Sequence, residues 1–376
     1  MTFKELNITE PVLKAIEEKG YVTPTPIQEQ AIPFALQKRD VLGCAQTGTG
    51  KTASFAIPVI QQLLEEKTTK NGQRKIRALI LTPTRELALQ INECIKDYAK
   101  YTELRYGVIF GGVNQNSQTN VLAAGIDILV ATPGRLLDLM NQGYIRLDSV
   151  RHFILDEADR MLDMGFIHDV KKIIPKLPKE KQTLFFSATM PESIVALTRS
   201  LLKNPAKITI KPVSSTANSI EQYIYFVEKK EKKQLLISLL KETQSDSILV
   251  FSRTKHNADK IVRNLAKAGI NSVAIHGNKS QSARQNALSN FKSGRIRVMV
   301  ATDIASRGID INELPLVINY DLPDVPETYV HRIGRTGRAG NTGTALTFCS
   351  EEERKLVNSI QKLTGKKLCT AVAPAF

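Results

Sequence analysis

At 376 residues, with 42% hydrophobic and 24% charged side chains, the chain has a globular composition and exceeds the size at which one core usually keeps growing, so two domains are expected and a disordered or fibrous class is excluded. No apolar run is long enough to cross a bilayer, and the opening Met1–Glu5 lacks the layout of a signal peptide, which points to a cytoplasmic location. The net charge of +15 favours a polyanionic partner, nucleic acid first, with a merely basic surface as the alternative, while Cys44, Cys94, Cys349 and Cys369 lack metal-ligand or disulfide spacing and read as reduced thiols.

In chain order, Gly20-Tyr21-Val22-Thr23-Pro24-Thr25-Pro26-Ile27-Gln28 comes first. The primary amide of Gln28 offers a donor and an acceptor suited to adenine N6 and N7; the alternatives are an exposed helix residue at Gln28 and simple packing for Tyr21. Asp40–Gly43 then leads into Ala45-Gln46-Thr47-Gly48-Thr49-Gly50-Lys51-Thr52 and a helical pattern over Ala53–Ile60. This is a phosphate loop that starts on Ala45 instead of Gly. Gly48 and Gly50 let backbone N–H groups approach phosphates, Lys51 reaches the β- and γ-phosphates, and the Thr52 hydroxyl can bind Mg²⁺. An accidental Gly-rich turn is the alternative.

Strand-like apolar runs follow at Ala78–Leu81, Ile126–Val130, Phe153–Leu155 and Thr183–Phe186, then at Ser247–Phe251, Arg297–Val300 and Leu316–Ile318. Separated by helical patterns, they predict parallel sheets covered on both faces, the doubly wound α/β class, in each half of the chain. Ligands in such sheets collect beyond the carboxyl ends of the strands, so the loops there should carry the chemistry. After Phe153–Leu155 come Asp156 and Glu157: Asp156 suits the Mg²⁺ shell and Glu157 the positioning of an attacking water, unless Asp156 or Asp159 merely caps the next helix. The Thr-, Lys-, Pro- and Ser-rich stretch Ile208–Ser219 is the linker candidate, and the Lys-rich Glu228–Lys233 should start a solvated helix without a binding role.

Taken together, these residues resemble the DEAD-box RNA helicase family, whose name Asp156-Glu157-Ala158-Asp159 spells. Phe3 and Gly20–Gln28 match its Q motif, Ala45–Thr52 motif I, Pro83–Ala88 motif Ia, Gly111-Gly112 the GG motif, Thr132–Arg135 motif Ib and Ser187-Ala188-Thr189 motif III. Val250–Thr254 matches motif IV, Ala301–Asp310 motif V and His331–Arg338 motif VI; the finer likeness is to the bacterial RhlE-type members.

The resemblance implies two RecA-like domains, 1–207 and 219–366, joined by a linker at 208–218 and followed by a tail at 367–376, with ATP between the domains. It implies that Phe3, Tyr21, Gln28, Ala45–Thr52 and Asp310 bind the nucleotide, and that Arg335 and Arg338 act as arginine fingers while His331 links nucleotide and carboxylate motif. Read without the family, the three arginines of that last motif would instead suggest a nucleic-acid patch.

It further implies RNA-backbone contacts at Thr84, Arg85, Gly111, Gly112, Thr132 and Arg135, then at Arg253, His276-Gly277, Gln281, Arg284 and Thr302, with Asp159, Ser187 and Thr189 as coupling residues. The expected activity is an RNA-dependent ATPase using ATP and Mg²⁺ that separates short duplexes or remodels RNA–protein complexes, as a monomer and without a membrane. An ATP-gated RNA clamp or assembly scaffold is the alternative, and a DNA helicase or P-loop kinase a more distant one.

Overall fold

The computed structural model describes residues 1–46, 48–66, 74–210, 220–306, 311, 314–337 and 343–374, with Ile304 as backbone only. They fall into two compact units, Met1–Pro212 and Val213–Phe376.

The first unit holds β1 (Val41–Cys44), β2 (Ala78–Leu81), β3 (Tyr106–Ile109), β4 (Ile128–Ala131), β5 (His152–Leu155), β6 (Gln182–Ser187) and β7 (Ala206–Thr209). They form one parallel sheet in the order β3-β4-β2-β5-β6-β1-β7. Successive side chains leave a strand on opposite faces, so a continuous apolar strand feeds two cores. Ile80, Val130, Ile154 and Phe186 meet Ile27 and Phe55 on one face. Leu79, Leu129, Phe153 and Phe185 meet Leu136 and Met161 on the other.

The second unit holds β8 (Ile220–Phe226), β9 (Ile248–Phe251), β10 (Ser272–Ile275), β11 (Val298–Ala301), β12 (Leu316–Asn319), β13 (Gly343–Cys349) and β14 (Cys369–Thr370). Their order, β10-β11-β9-β12-β13-β8-β14, is that of the first sheet with seven added to each strand number. All neighbours again run parallel. One topology is therefore used twice, and each loop of the first unit has a counterpart in the second.

The helices follow the sequence's own signals. In Arg85–Tyr98 the Thr84 hydroxyl accepts from the Leu87 N–H at 3.2 Å, and Leu87, Ala88, Ile91, Ile95 and Tyr98 form the buried face. The phosphate-loop helix is longer than its predicted Ala53–Ile60: it runs over Lys51–Glu65 and is buried on nearly every side from Ala53 to Leu63.

Four expectations need correction. The strand expected over Ile126–Val130 begins at Ile128, because the Asp127 carboxylate is engaged by Arg74 and Arg77 at the amino end of the sheet. The linker expected from 208 begins later, since Ile208 and Thr209 pair beside β1 in β7; most of the expected linker lies outside the described residues. The tail expected from 367 includes β14, which pairs Cys369 with Tyr223 and Thr370 with Ile224 and so covers the edge of β8, while Leu368 is buried beneath. Within the Lys-rich run, Lys229 and Lys230 are exposed as expected, but Lys232 is buried and ion-paired to Glu353. Among the described residues no helix is long and apolar enough to cross a membrane.

Candidate functional site

β1 ends at Cys44, and the next N–H, of Ala45, donates to the Ser187 carbonyl at the end of β6 (3.0 Å), so the phosphate loop starts fixed to its neighbouring strand. Gly48 and Gly50 take left-handed backbone (φ +83° and +95°), which turns the loop into the helix N-terminus. Lys51 is the first helical residue; its buried Nζ donates back to the Ala45 carbonyl at 3.0 Å, so the ammonium arches over the loop where the helix dipole is positive. Gln46 and Thr49 close the loop through a Thr49 hydroxyl bond to the Gln46 carbonyl (2.7 Å), and Thr52 is half-buried one residue into the helix. Thr47 lies outside the described residues.

Gln28 sits against this loop. It is the third residue of the helix Pro26–Leu36, where its Oε1 accepts from the Thr25 N–H (2.9 Å), and its Nε2 donates to the Gly50 carbonyl (3.2 Å). A Cβ on Gly50 would collide with Gln28 Nε2, so glycine is required for this approach. Tyr21 keeps its ring half exposed, whereas Phe3 is buried in the first core and donates its backbone N–H to the Val22 carbonyl (3.3 Å), fixing the Q-motif loop from below.

The carboxylate motif follows β5, two strands from β1. Asp156 is 2% exposed, and its Oδ1 has no hydrogen-bond partner among the described residues. Burial pushes its carboxyl up to about 6 and the neighbouring Glu157 charge adds to this, while the Lys51 ammonium pulls the other way. Glu157 adopts left-handed backbone (φ 56°, ψ 49°), a conformation unusual for a non-glycine residue and characteristic of functional turns. Its buried Oε2 accepts from Arg160 at 2.7 Å. Asp159 faces the end of β6: its Oδ2 accepts from the Thr189 N–H (2.8 Å) and hydroxyl (2.9 Å). The Ser187 hydroxyl accepts from the Asp159 N–H (3.2 Å) and donates to the Thr189 carbonyl (2.7 Å). The carboxylate motif, the Ser-Ala-Thr loop and the phosphate loop thus form one bonded unit at the carboxyl ends of β5, β6 and β1.

A second group occupies the same end of the sheet over β2, β3 and β4. Thr84 caps its helix, and Gly112 (φ +77°) leaves room for the Arg85 guanidinium, whose nitrogens a Cβ there would strike. Arg135 donates to the Val113 carbonyl at 3.3 Å, and Thr132 is buried at the start of the helix Pro133–Asn141. Thr84, Arg85, Gly111, Gly112, Thr132 and Arg135 therefore surround one glycine turn, and two guanidiniums border it.

The duplicated topology repeats this group after β9, β10 and β11. Arg253 follows β9, His276 and Gly277 follow β10, and Thr302 follows β11. Buried His276 lies 3.0 Å from Asp259, and Thr254 caps its helix through Asn257 as Thr84 does through Leu87. Gln281 and Arg284 start the helix Gln281–Lys292, capped by Ser280. In motif VI, Arg335 is buried and His331 half-buried; Arg338, and Asp310 of motif V, lie outside the described residues. Arg332 of the same motif is a fold residue, paired to both oxygens of Asp303 (2.6 and 2.7 Å) and to Asn319 (3.2 Å).

Three residues absent from the sequence reading matter here. Arg160 holds Glu157, and its signal was the i,i+3 spacing of opposite charges. Asp321 accepts from the Arg253 N–H (2.9 Å) and the Ser252 hydroxyl (3.1 Å) at the counterpart of the carboxylate motif. Glu353 binds Arg253 and Lys232, and its signal was the capping spacing Ser350-x-x-Glu353.

Residues 25–197 match the sequence model of the DEAD/DEAH box helicase, and 231–340 that of the helicase conserved C-terminal domain. The DEAD-box ATP-dependent RNA helicase CshA of Geobacillus kaustophilus is 42% identical over 367 residues, covering 98% of this chain and 77% of that protein. The RNA helicase CrhR of Synechocystis sp. is 42% identical over 374 residues, covering 99% and 75%. Among solved structures, S. cerevisiae Dbp5 bound to RNA and ADP BeF3 superposes with a TM-score of 0.85 at 30% identity, covering 98% of this chain and 95% of that one.

Proposed function

The chain belongs to the DEAD-box family of ATP-dependent RNA helicases, and from that premise we propose that it couples ATP binding and hydrolysis to local, sequence-independent separation of short RNA duplexes or remodelling of RNA–protein complexes. The observation that carries the reading is the buried Asp156 oxygen without a partner, beside the Lys51 ammonium and a helix N-terminus. An orphaned carboxylate oxygen next to a phosphate loop fits a hard, oxygen-seeking cation, so Asp156 and the Thr52 hydroxyl are the residues that would hold Mg²⁺. When bound, Mg²⁺ neutralises charge on the phosphoryl oxygens.

The chain's own groups do the rest. Lys51 exchanges its Ala45 carbonyl for phosphate oxygens, and the backbone N–H groups of Gly48 to Lys51 support them. Gln28 spans the adenine side and the Gly50 carbonyl, so base identity is read by the residue that also bonds the loop. Glu157, fixed by Arg160, orients water for in-line attack, Arg335 and Arg338 act on the γ-phosphoryl charge, His331 links the nucleotide to the carboxylate motif, and Asp310 contacts the ribose. The Asp159–Ser187–Thr189 bonds pass the nucleotide state to the Ser-Ala-Thr loop.

RNA is held through its backbone by the two loop groups, the first at Thr84, Arg85, Gly111, Gly112, Thr132 and Arg135, the second at Arg253, Gly277, Gln281, Arg284 and Thr302. That Dbp5 binds RNA with the same fold supports this assignment. The two RecA-like domains run from residue 1 through β7 at Thr209 and from β8 at Ile220 through β14 at Thr370, and the protein acts as a cytoplasmic monomer. Strand release from a short tailed RNA duplex, with ATP against a non-hydrolysable analogue, tests the reading: release with ATP supports a helicase, and RNA retention without release indicates a clamp.

A further inference from the structure

Because the topology is used twice, β8 and the helix Lys232–Glu242 correspond to β1 and the helix Lys51–Glu65. Lys232 thus stands where Lys51 stands: first in the helix, buried, its ammonium directed at the loop ends of neighbouring strands. Lys51 has a phosphate loop before it; Lys232 has Glu353. The Glu353 Oε2 accepts from Lys232 Nζ (2.5 Å), the Ser350 N–H (3.0 Å) and the Ser350 hydroxyl (2.9 Å). Its Oε1 accepts from the Leu322 N–H (3.2 Å) and Arg253 Nη2 (3.1 Å). In the cavity of about 520 Å³ beside it, Glu228, Glu231, Glu351 and Glu352 outnumber Lys229 and Arg354, a net negative lining that disfavours polyphosphate.

The carboxylate therefore fills the place that the topology gives to an anion, and its second oxygen leads out to Arg253. That guanidinium is 41% exposed; besides Glu353 it donates to the Leu322 carbonyl (3.0 Å) and lies 3.6 Å from Asp324. An arginine left to itself loses side-chain freedom when it grips a phosphate, whereas one held on a buried carboxylate has already lost it. We propose that Glu353, anchored by Lys232, is a positioning residue that sets Arg253 for the RNA backbone. The proposal rests on Arg253 being an RNA contact. Glu353 also opposes RNA by its charge, but Lys232 balances that charge at closer range, so positioning outweighs repulsion.

The test is polyuridylate-stimulated ATP hydrolysis by wild type, Arg253→Ala, Glu353→Gln and the double variant, each giving KM for polyuridylate and KM for ATP. Arg253→Ala should raise the RNA KM about tenfold, the low end for one charge-assisted bond. Glu353→Gln should raise it roughly threefold or more when Arg253 is intact and not further when it is combined with Arg253→Ala, with the ATP KM unmoved in both cases. Equal effects of Glu353→Gln in the two backgrounds, no effect, or tighter RNA binding would each overturn the positioning role while leaving Arg253 as a contact. An unchanged RNA KM in Arg253→Ala refutes the RNA reading of Arg253 and the proposal with it. If Glu353→Gln does not fold, Glu353→Asp keeps the charge that Lys232 requires while shortening its reach, and the same cycle is run with it.

Discussion

Ser187→Ala removes one buried hydroxyl and nothing else from the link between the carboxylate motif and the Ser-Ala-Thr loop. Ser187 is fully buried, and its Oγ is the acceptor of the Asp159 N–H and a donor to the Thr189 carbonyl. Thr189 is exposed, so its carbonyl can regain a water, but the Asp159 N–H lies in a buried helix start and loses its acceptor. Leaving such a group unsatisfied costs about 2 kcal/mol. For a unit the size of Met1–Pro212 this lowers the melting temperature by roughly 4–8 °C. The phosphate loop keeps its own tie, since the Ala45 N–H bonds the Ser187 backbone carbonyl, which the substitution spares. ATP affinity should therefore hold while strands released per ATP hydrolysed fall by at least about fivefold, the low end of a coupling free energy. The assays are a thermal melt, an ATP titration and duplex release measured alongside phosphate release. A melting temperature equal to wild type would refute the hydrogen-bond reasoning. A proportional loss of ATP affinity and strand release would place Ser187 in the nucleotide grip instead of the coupling.

Gln28→Ala should cost about 1 kcal/mol of stability through the lost capping box and erase the preference for ATP over GTP; a variant that keeps full preference in parallel ATPase and GTPase assays would remove Gln28 from base reading. Gly112→Ala forces a side chain into left-handed backbone and into the Arg85 guanidinium, so the RNA KM should rise with the ATP KM unchanged, as steady-state titrations of each will register. Asp127→Asn should destabilise the first unit by about 3 kcal/mol in chemical denaturation, because Arg74 and Arg77 lose a buried partner. Burial alone would raise the Asp127 carboxyl, but the Arg105 N–H and the two guanidiniums hold it below its ordinary value. Its stabilisation is thus complete above the unfolded-chain value near 3.8 and declines as pH falls below it, so the gap between wild type and Asp127→Asn should narrow there.

What the sequence made legible was contiguous chemistry at strand ends. Asp156 and Thr189 each sit within a few residues of an apolar run that had to be a buried strand, Lys51 is marked by the Gly-rich pattern of its own loop, and a parallel sheet brings such ends to one edge. The linker and tail were less legible because Ile208 and Cys369 join strands through pairing with β1 and β8, which no local pattern specifies. Lys232 lies in a lysine run whose other members are solvated; its partners, the Tyr320 carbonyl and the Glu353 carboxylate, are 88 and 121 residues away. The Gln28 amide suggests a base reader from sequence, but its bond to the Gly50 carbonyl depends on a glycine 22 residues on. Local motifs name the reacting groups, whereas long-range partners decide how those groups are held.

The central claim, that this nucleotide site works for RNA, is tested most directly by ATP hydrolysis with and without single-stranded RNA in wild type and Lys51→Ala. The account predicts hydrolysis by the wild type that depends on RNA and is lost in Lys51→Ala, whose phosphate loop lacks its only ammonium within hydrogen-bonding reach of Ala45 among the described residues. Wild-type hydrolysis at the same rate without RNA would contradict it.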